Sequence, residues 1–240
     1  MTVSDPITPA VLDRARTVST ATVSSLLQRR GFTNSFMRQV FPLRPDLRLA
    51  GRAFTLRYIP AREDLVASGD VDNRTNKQRL AVEAVGPGDV LVIDARGFVD
   101  AGTLGDILAT RIKQRGAAGI VTDGAFRDTP SMRTLDLPTY ARGQSPYAST
   151  KFHYPADLNV PIGCGGVAVI PGDLLIGDAE GVVVVPHAFA QEVVDEAFEH
   201  DRLELFIMRK IVDGASILGV YPPDAQTLRE YEDWKQHPDR

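Results

Sequence analysis

Apolar residues at Leu104, Ile107, Leu108 and Ile112 recur at the i, i+3, i+4, i+8 spacing of one helical face. This predicts a short helix from Leu104 to Arg115. Asp106 lies at its start and Arg111, Lys113 and Arg115 toward its end, each on the side the helix dipole favours, and Gly116 can close it. Ala118 to Thr122 is then a short apolar run suited to a central strand, stopped by Asp123-Gly124. Upstream, Thr8-Pro9 starts a helix with Val11, Leu12 and Ala15 on one face. A second helix runs from Thr20 to Arg30 and ends at Gly31, with the hydroxyls of Ser19 to Thr22 as its N-cap region. Leu49 to Ile59 alternates as a strand, and Gln78 to Val85 reads as a helix with Leu80, Ala81 and Ala84 inward. Four valines between Gly181 and Pro186 fit a strand buried on both faces. Phe189 to Leu218 reads as helical, and the polar tail ends in a short helix around Leu228 to Trp234.

An internal echo adds topology. Val85-Gly-Pro-Gly-Asp-Val-Leu-Val-Ile-Asp94 is answered by Val169-Ile-Pro-Gly-Asp-Leu-Leu-Ile-Gly-Asp178. Pro fixes φ at the first turn position and Gly supplies the permissive second, so each copy is a type II turn launching a strand. The two strands are expected in one sheet system, with the turn carboxylates as braces. Ala61 to Lys77 is polar and expected to be a surface loop or short helix. Ser145 to Asp157, with Tyr147, Phe152, His153 and Tyr154, reads as an aromatic loop suited to covering a pocket or to a subunit contact, of which the contact is the preferred reading.

Composition narrows the function classes. The chain has 240 residues, 43% hydrophobic and 24% charged, as a soluble globular protein does. A net charge of -4 gives no electrostatic case for nucleic acid. No apolar run approaches the roughly 20 residues of a membrane helix. The N-terminus lacks a basic-then-apolar signal pattern, so a cytoplasmic location is expected. Cys164 is the one cysteine, expected to be a small buried residue rather than a nucleophile. His153, His187, His200 and His237 lack zinc spacing, and no nucleophile elbow, phosphate-binding loop or dinucleotide fingerprint occurs.

What remains is carboxylates, arginines and glycine turns. The predicted helix would begin with free N–H groups of Gly105, Asp106, Ile107 and Leu108, able to hold a small carboxylate or phosphate. The next strand would deliver Arg127 and Asp128 to the sheet edge where ligands of open α/β folds collect. Arg127 offers a fork of donors for a carboxylate, and Asp128 a hard oxygen for a divalent cation. The set suggests a small acidic substrate; a plain surface ion pair is the competing reading.

With these residues laid out, the sequence resembles the RraA-like family, which includes the class II 4-hydroxy-4-methyl-2-oxoglutarate aldolases. The resemblance is carried by Asp106, twenty intervening residues and Arg127-Asp128, and by Gly124-Ala-Phe-Arg-Asp, Leu137-Pro-Thr-Tyr-Ala-Arg-Gly and the stretch from Gly165 to Pro186. It covers most of residues 17 to 190. It implies an α/β fold, a layered α/β/β sandwich like the swivelling phosphohistidine domain, with N- and C-terminal helices. The chain would form a single domain with a helical extension from about residue 191, assembled as a homotrimer or homohexamer with sites between subunits.

By the same resemblance Arg127 binds substrate, Asp128 ligates Mg²⁺ or Mn²⁺, and amides from Gly105 to Leu108 hold the substrate carboxylate. Asp106 works around a water on the metal. A carboxylate from a neighbouring subunit's C-terminal region is implied, and Glu192, Glu196, Glu199 and Glu204 compete for that role. The expected function is a divalent-metal-dependent lyase cleaving a 2-oxo acid to pyruvate by retro-aldol reaction, with an oxaloacetate decarboxylase side activity. The alternatives are a protein-binding regulator of a ribonuclease, or a lyase or hydratase on a sugar-derived 2-keto-3-deoxy acid.

Overall fold

A computed structural model describes residues 5–66 and 72–236. His237 and part of the 61–77 loop therefore lie outside the described residues. In chain order the strands are β1 (Phe41–Pro42), β2 (Leu49–Pro60), β3 (Asp89–Asp94), β4 (Gly119–Phe126) and β5 (Thr139–Gln144). They continue with β6 (His153–Leu158), β7 (Ile162–Cys164), β8 (Val167–Val169), β9 (Leu174–Gly177) and β10 (Val182–Val185). The helices are α1 (Pro9–Ala15), α2 (Thr20–Arg29), α3 (Lys77–Ala84), α4 (Asp106–Gln114), α5 (Thr129–Met132), α6 (Ala190–Val212) and α7 (Ala225–Gln236).

The long strand β2 is the axis of the main sheet, whose order is β1-β5-β4-β3-β2-β9-β10. It runs parallel to β3 on one edge; on the other it pairs antiparallel with β9 first and then with β6. Alternation along the strands sorts three layers, because successive side chains point to opposite faces. Leu91 and Ile93 face α3 and α4, and Leu174, Ile176, Val183 and Val185 face α1, α2 and α6. The intervening Val90, Val92, Leu175, Val182 and Val184 face the opposite way and are covered by the β7–β8 hairpin, with Ile162, Cys164, Val167 and Val169. This is an α/β fold with helices on one face and a small second sheet on the other. Each fully buried Leu, Ile or Val side chain here contributes roughly 1.5–3 kcal/mol.

The strands launched by the two Pro-Gly-Asp turns, β3 and β9, lie in one sheet as the echo predicted, one on each side of β2. Their glycines, Gly88 and Gly172, have φ of 81° and 93°. Asp89 accepts from Gly86 N and Asp173 from Ile170 N, both carboxylates bracing their own turns. Ser19 caps α2 by accepting from Thr22 N at 3.1 Å. Cys164 is buried.

Several expectations need correction. β4 does not stop at Thr122: it continues to Phe126 through a register shift at Asp123-Gly124. In α3 the inward residues are Gln78, Ala81 and Val82, while Leu80 and Ala84 are exposed, because an eight-residue helix has too few turns to fix its phase by pattern. In α4 Ile107 is 81% exposed, and Ala109 takes the buried position beside Ile112. The aromatic loop contains a strand, β6, and α6 ends at Val212 rather than continuing to Leu218.

Candidate functional site

The residues from Gly102 to Leu104 lie alongside the end of β4. Gly102 forms a parallel bridge with Ala125, Thr103 N donates to Ala125 O at 2.7 Å, and Arg127 N donates to Leu104 O at 2.9 Å. This lacing brings the start of α4 against Arg127-Asp128, although twenty residues separate them. The approach leaves no room for a side chain at Gly102, and none at Gly105 while Asp128 keeps its position. A Cβ on Gly102 would lie 2.8 Å from Arg127 N and 3.2 Å from Phe126 C. A Cβ on Gly105 would collide with Asp128 Oδ2 and lie 3.4 Å from Asp128 Cγ. The fold therefore brings Gly105, at the start of α4, against Arg127 and Asp128, and Asp106, Ile107 and Leu108 follow it in the first turn of the helix.

Gly105 is the N-cap of α4 and carries no capping side chain, so the first-turn amides have no side-chain acceptor. Asp128 caps α5 in the left-handed region, at φ 53°, which aspartate tolerates. Its side chain makes no capping bond, and among the described residues its carboxylate accepts no hydrogen bond. Among the described residues Arg127 Nε is buried without a partner. An uncommitted carboxylate, a donor-rich helix start and an unsatisfied guanidinium nitrogen thus share one corner.

Behind this corner Thr103 O accepts from Tyr58 Oη at 3.1 Å and from Gln78 Nε2 at 2.5 Å. Burial pushes the Tyr58 phenol up, so it remains a neutral donor. Both side chains line a cavity of about 870 Å³ that also takes in Arg62, Asn76, Lys151 and His153; Gly105 to Leu108, Arg127 and Asp128 are not among its lining residues, so it lies beyond Thr103 from the corner. The sequence reading missed this wall, because Tyr58 and Gln78 look like ordinary strand and helix positions. His153 is buried against Tyr58 and Phe98, with ring centroids 5.1 and 5.4 Å away. Burial, then the Arg96 charge, lowers its pKa to about 4; Arg96 donates to Nδ1 at 3.2 Å.

Other titratable groups have structural tasks. Asp123 accepts from Ala95 N at 2.7 Å and Gly97 N at 3.0 Å, and burial raises its pKa. Burial likewise pushes the Cys164 thiol up, the reverse of an activated nucleophile. Among the competing C-terminal carboxylates, Glu192 and Glu196 pair with Arg30, and Glu199 lies 3.4 Å from Arg202. Glu204 joins His200 and Asp201 in a cluster whose ligand atoms lie within 4.8 Å of one another. Asp201 is already engaged, accepting from Ser19 N at 2.7 Å and Thr22 Oγ1 at 2.5 Å. That cluster belongs to α6, which packs on α1, α2 and α7, whereas α4 packs on α3, α5 and β4.

No helix among the described residues is long and apolar enough to cross a membrane. Residues 8–184 match the family described as RraA-like, Aldolase/RraA. A protein of Halalkalibacterium halodurans named "Putative 4-hydroxy-4-methyl-2-oxoglutarate aldolase" is 36% identical over 207 residues, covering 86% of this chain and 90% of that protein. The crystal structure of Streptomyces coelicolor RraAS2, described as an unusual member of the RNase ES inhibitor RraA protein family, is 38% identical with a TM-score of 0.75. It covers 83% of this chain and 96% of its own. A Pseudomonas syringae structure of an uncharacterized protein reaches a TM-score of 0.78 at 27% identity, over 90% of this chain and 98% of its own. With its strand-to-helix corner and 177 of its 240 residues (8–184) inside the family match, the chain belongs to the RraA-like family.

Proposed function

We propose that the protein is a divalent-metal-dependent lyase that releases pyruvate from a 2-oxo acid. The observation that carries this reading is the close approach of Gly105 to the Asp128 carboxylate, beside an Arg127 Nε that has no partner among the described residues. The donor set fits a hard cation. Asp128 offers free oxygens and Asp106 is one residue from the contact, while neither sulfur nor imidazole is in the set. Mg²⁺ is commonly held by one or two carboxylates, with substrate oxygens completing its shell. When bound, Mg²⁺ or Mn²⁺ would polarise the 2-oxo and carboxylate oxygens of the substrate as a Lewis acid.

The chain's own groups would do the rest. Amides of Gly105, Asp106, Ile107 and Leu108 receive the substrate carboxylate at the helix start. Arg127 donates to the enolate oxygen as negative charge develops there, where a fixed donor stabilises the transition state most. Asp106, through a water, takes the C4 hydroxyl proton while the C3–C4 bond breaks, leaving the enolate of pyruvate and a new carbonyl. Decarboxylation of oxaloacetate reaches the same enolate by loss of CO₂ and needs no such base, so it is an expected side activity. A homotrimer or homohexamer in the cytoplasm is the expected form, with a neighbouring subunit's carboxylate completing the site.

The test is pyruvate release from oxaloacetate and from 4-hydroxy-4-methyl-2-oxoglutarate, with Mg²⁺ and with EDTA. Metal-dependent turnover of both supports the aldolase. Decarboxylation alone points to another acid, such as a sugar-derived 2-keto-3-deoxy acid. Silence on both favours the second reading, a protein-binding ribonuclease regulator, which the likeness to RraAS2 supports.

A further inference from the structure

The segment that leads into α4, Gly102-Thr103-Leu104-Gly105, has a glycine at each end. Each leaves space for Arg127 and Asp128, and each also gives the backbone more freedom than any other residue would. The two residues between them carry the restraint. Leu104 O accepts from Arg127 N, and Thr103 N and Oγ1 both donate to Ala125 O, at 2.7 and 3.0 Å. Thr103 O takes two further donors from outside the corner, Tyr58 Oη of β2 and Gln78 Nε2 of α3, which together use both lone pairs of one carbonyl. Burying the Gln78 amide runs against the pattern of α3, where Gln78 is 7% exposed and Leu80 39%. Asn76 sets that phase by capping the helix, its Oδ1 accepting from Gln78 N at 3.0 Å. Sequences break their own hydrophobic pattern chiefly at functional or strained sites.

We propose that Tyr58 and Gln78 are positioning residues for the anion-binding start of α4. The assignment rests on the lyase reading, in which the amides from Gly105 to Leu108 hold the substrate carboxylate. Two donors on Thr103 O fix the plane of the Thr103–Leu104 peptide. Arg127 N on Leu104 O fixes the next plane, which carries the Gly105 N–H. With both planes set, the amides are aimed before substrate arrives, and binding has nothing left to order there. Without the two donors the substrate must order the segment as it binds, so affinity falls. The carboxylate contact is the same in the ground state and the transition state, so the loss appears in KM and not in kcat.

The experiment compares oxaloacetate kinetics at saturating Mg²⁺ for wild type, Tyr58→Phe, Gln78→Met and the double variant. Phenylalanine and methionine keep the buried volume and remove the donors. KM is expected to rise about 10-fold in each single variant and further in the pair, with kcat within about threefold of wild type. Both side chains also line the cavity, so hydrogen exchange of the ligand-free protein is read alongside. The amides of Thr103, Ala109 and Arg127 are bonded to Ala125 O, Gly105 O and Leu104 O. They should exchange about 10-fold faster in the variants, which the loss of a direct substrate contact would not cause. Unchanged KM with a lowered melting temperature makes the pair ordinary core and overturns the proposal, as does unchanged exchange at those three amides. A fall in kcat at constant KM overturns it too. A wild type silent on oxaloacetate and on 4-hydroxy-4-methyl-2-oxoglutarate instead removes the lyase reading, and this role with it, so the wild type alone tells the two failures apart.

Discussion

The carboxylate of Asp128 fills the space that a side chain at position 105 would need. The clash would fall on the tip of a short, solvent-facing side chain rather than on backbone, so it can be relieved by turning Asp128 away. Gly105→Ala should therefore keep the fold and lose the function. Its melting temperature should stay within a few degrees of wild type, while Mn²⁺ affinity, read by titration calorimetry, falls by about 10–100-fold. Unchanged metal affinity would remove Asp128 from the metal assignment.

Gly102→Ala should behave in the opposite way. The added methyl meets the backbone of Phe126 and Arg127, which is tied to the sheet and cannot swing aside. Overpacking of this kind costs about 1–3 kcal/mol, so chemical denaturation should show the loss directly. Wild-type stability would mean that the strand end is looser than the hydrogen bonds indicate.

Arg127→Lys keeps a positive charge but removes the planar fork and the buried Nε. With oxaloacetate and Mg²⁺, kcat/KM should fall by roughly 10²–10³-fold, the usual cost of losing a donor to a developing oxyanion. Near-normal kinetics would leave Arg127 as a packing residue.

The sequence pattern located the corner itself. The spacing from Asp106 to Arg127-Asp128 encodes one helix and one parallel strand, and short-range periodicity is legible at that scale. The paired Pro-Gly-Asp turns were legible for the same reason, since turn chemistry is local. The cavity wall was not. Tyr58 and Gln78 meet Thr103 only because β2 and α3 pack together beside the chain that enters α4, and that contact leaves no periodic trace. The phase of α3 was also lost, because Gln78 is buried by its bond to Thr103 O while Leu80 is exposed. Tertiary partners, not propensity, decide such positions.

His153 gives a pH prediction. Its folded pKa, about 4, lies below the ordinary 6.5, chiefly because it is buried. Between those values the unfolded imidazole binds a proton that the folded one does not, so this group makes stability fall as pH drops through the window. The buried Asp123 and Asp173 and the half-buried Asp94 have raised pKa values and act in the opposite sense, but they are common to wild type and variant. His153→Gln should therefore flatten the loss of stability from pH 6.5 to 5 relative to wild type. The effect is limited to roughly 3 kcal/mol across the full window. Parallel curves for the two proteins would show that His153 is protonated in the folded state.

Asp106→Asn separates the two reactions assigned to one site. Retro-aldol cleavage needs a base for the C4 hydroxyl proton, whereas oxaloacetate loses CO₂ without one. On the proposed mechanism both depend equally on the enolate donors and on Asp128. Asparagine keeps the shape and polarity of position 106 at the first turn of α4 but cannot accept a proton. The ratio of aldol to decarboxylase kcat should thus drop by about 10²–10⁴-fold, the span attributed to general-base catalysis, with decarboxylation within a few fold of wild type. Parallel loss of both activities would assign Asp106 to holding the metal or the helix start. Retention of both would place the base elsewhere, with a neighbouring subunit's carboxylate the next to test.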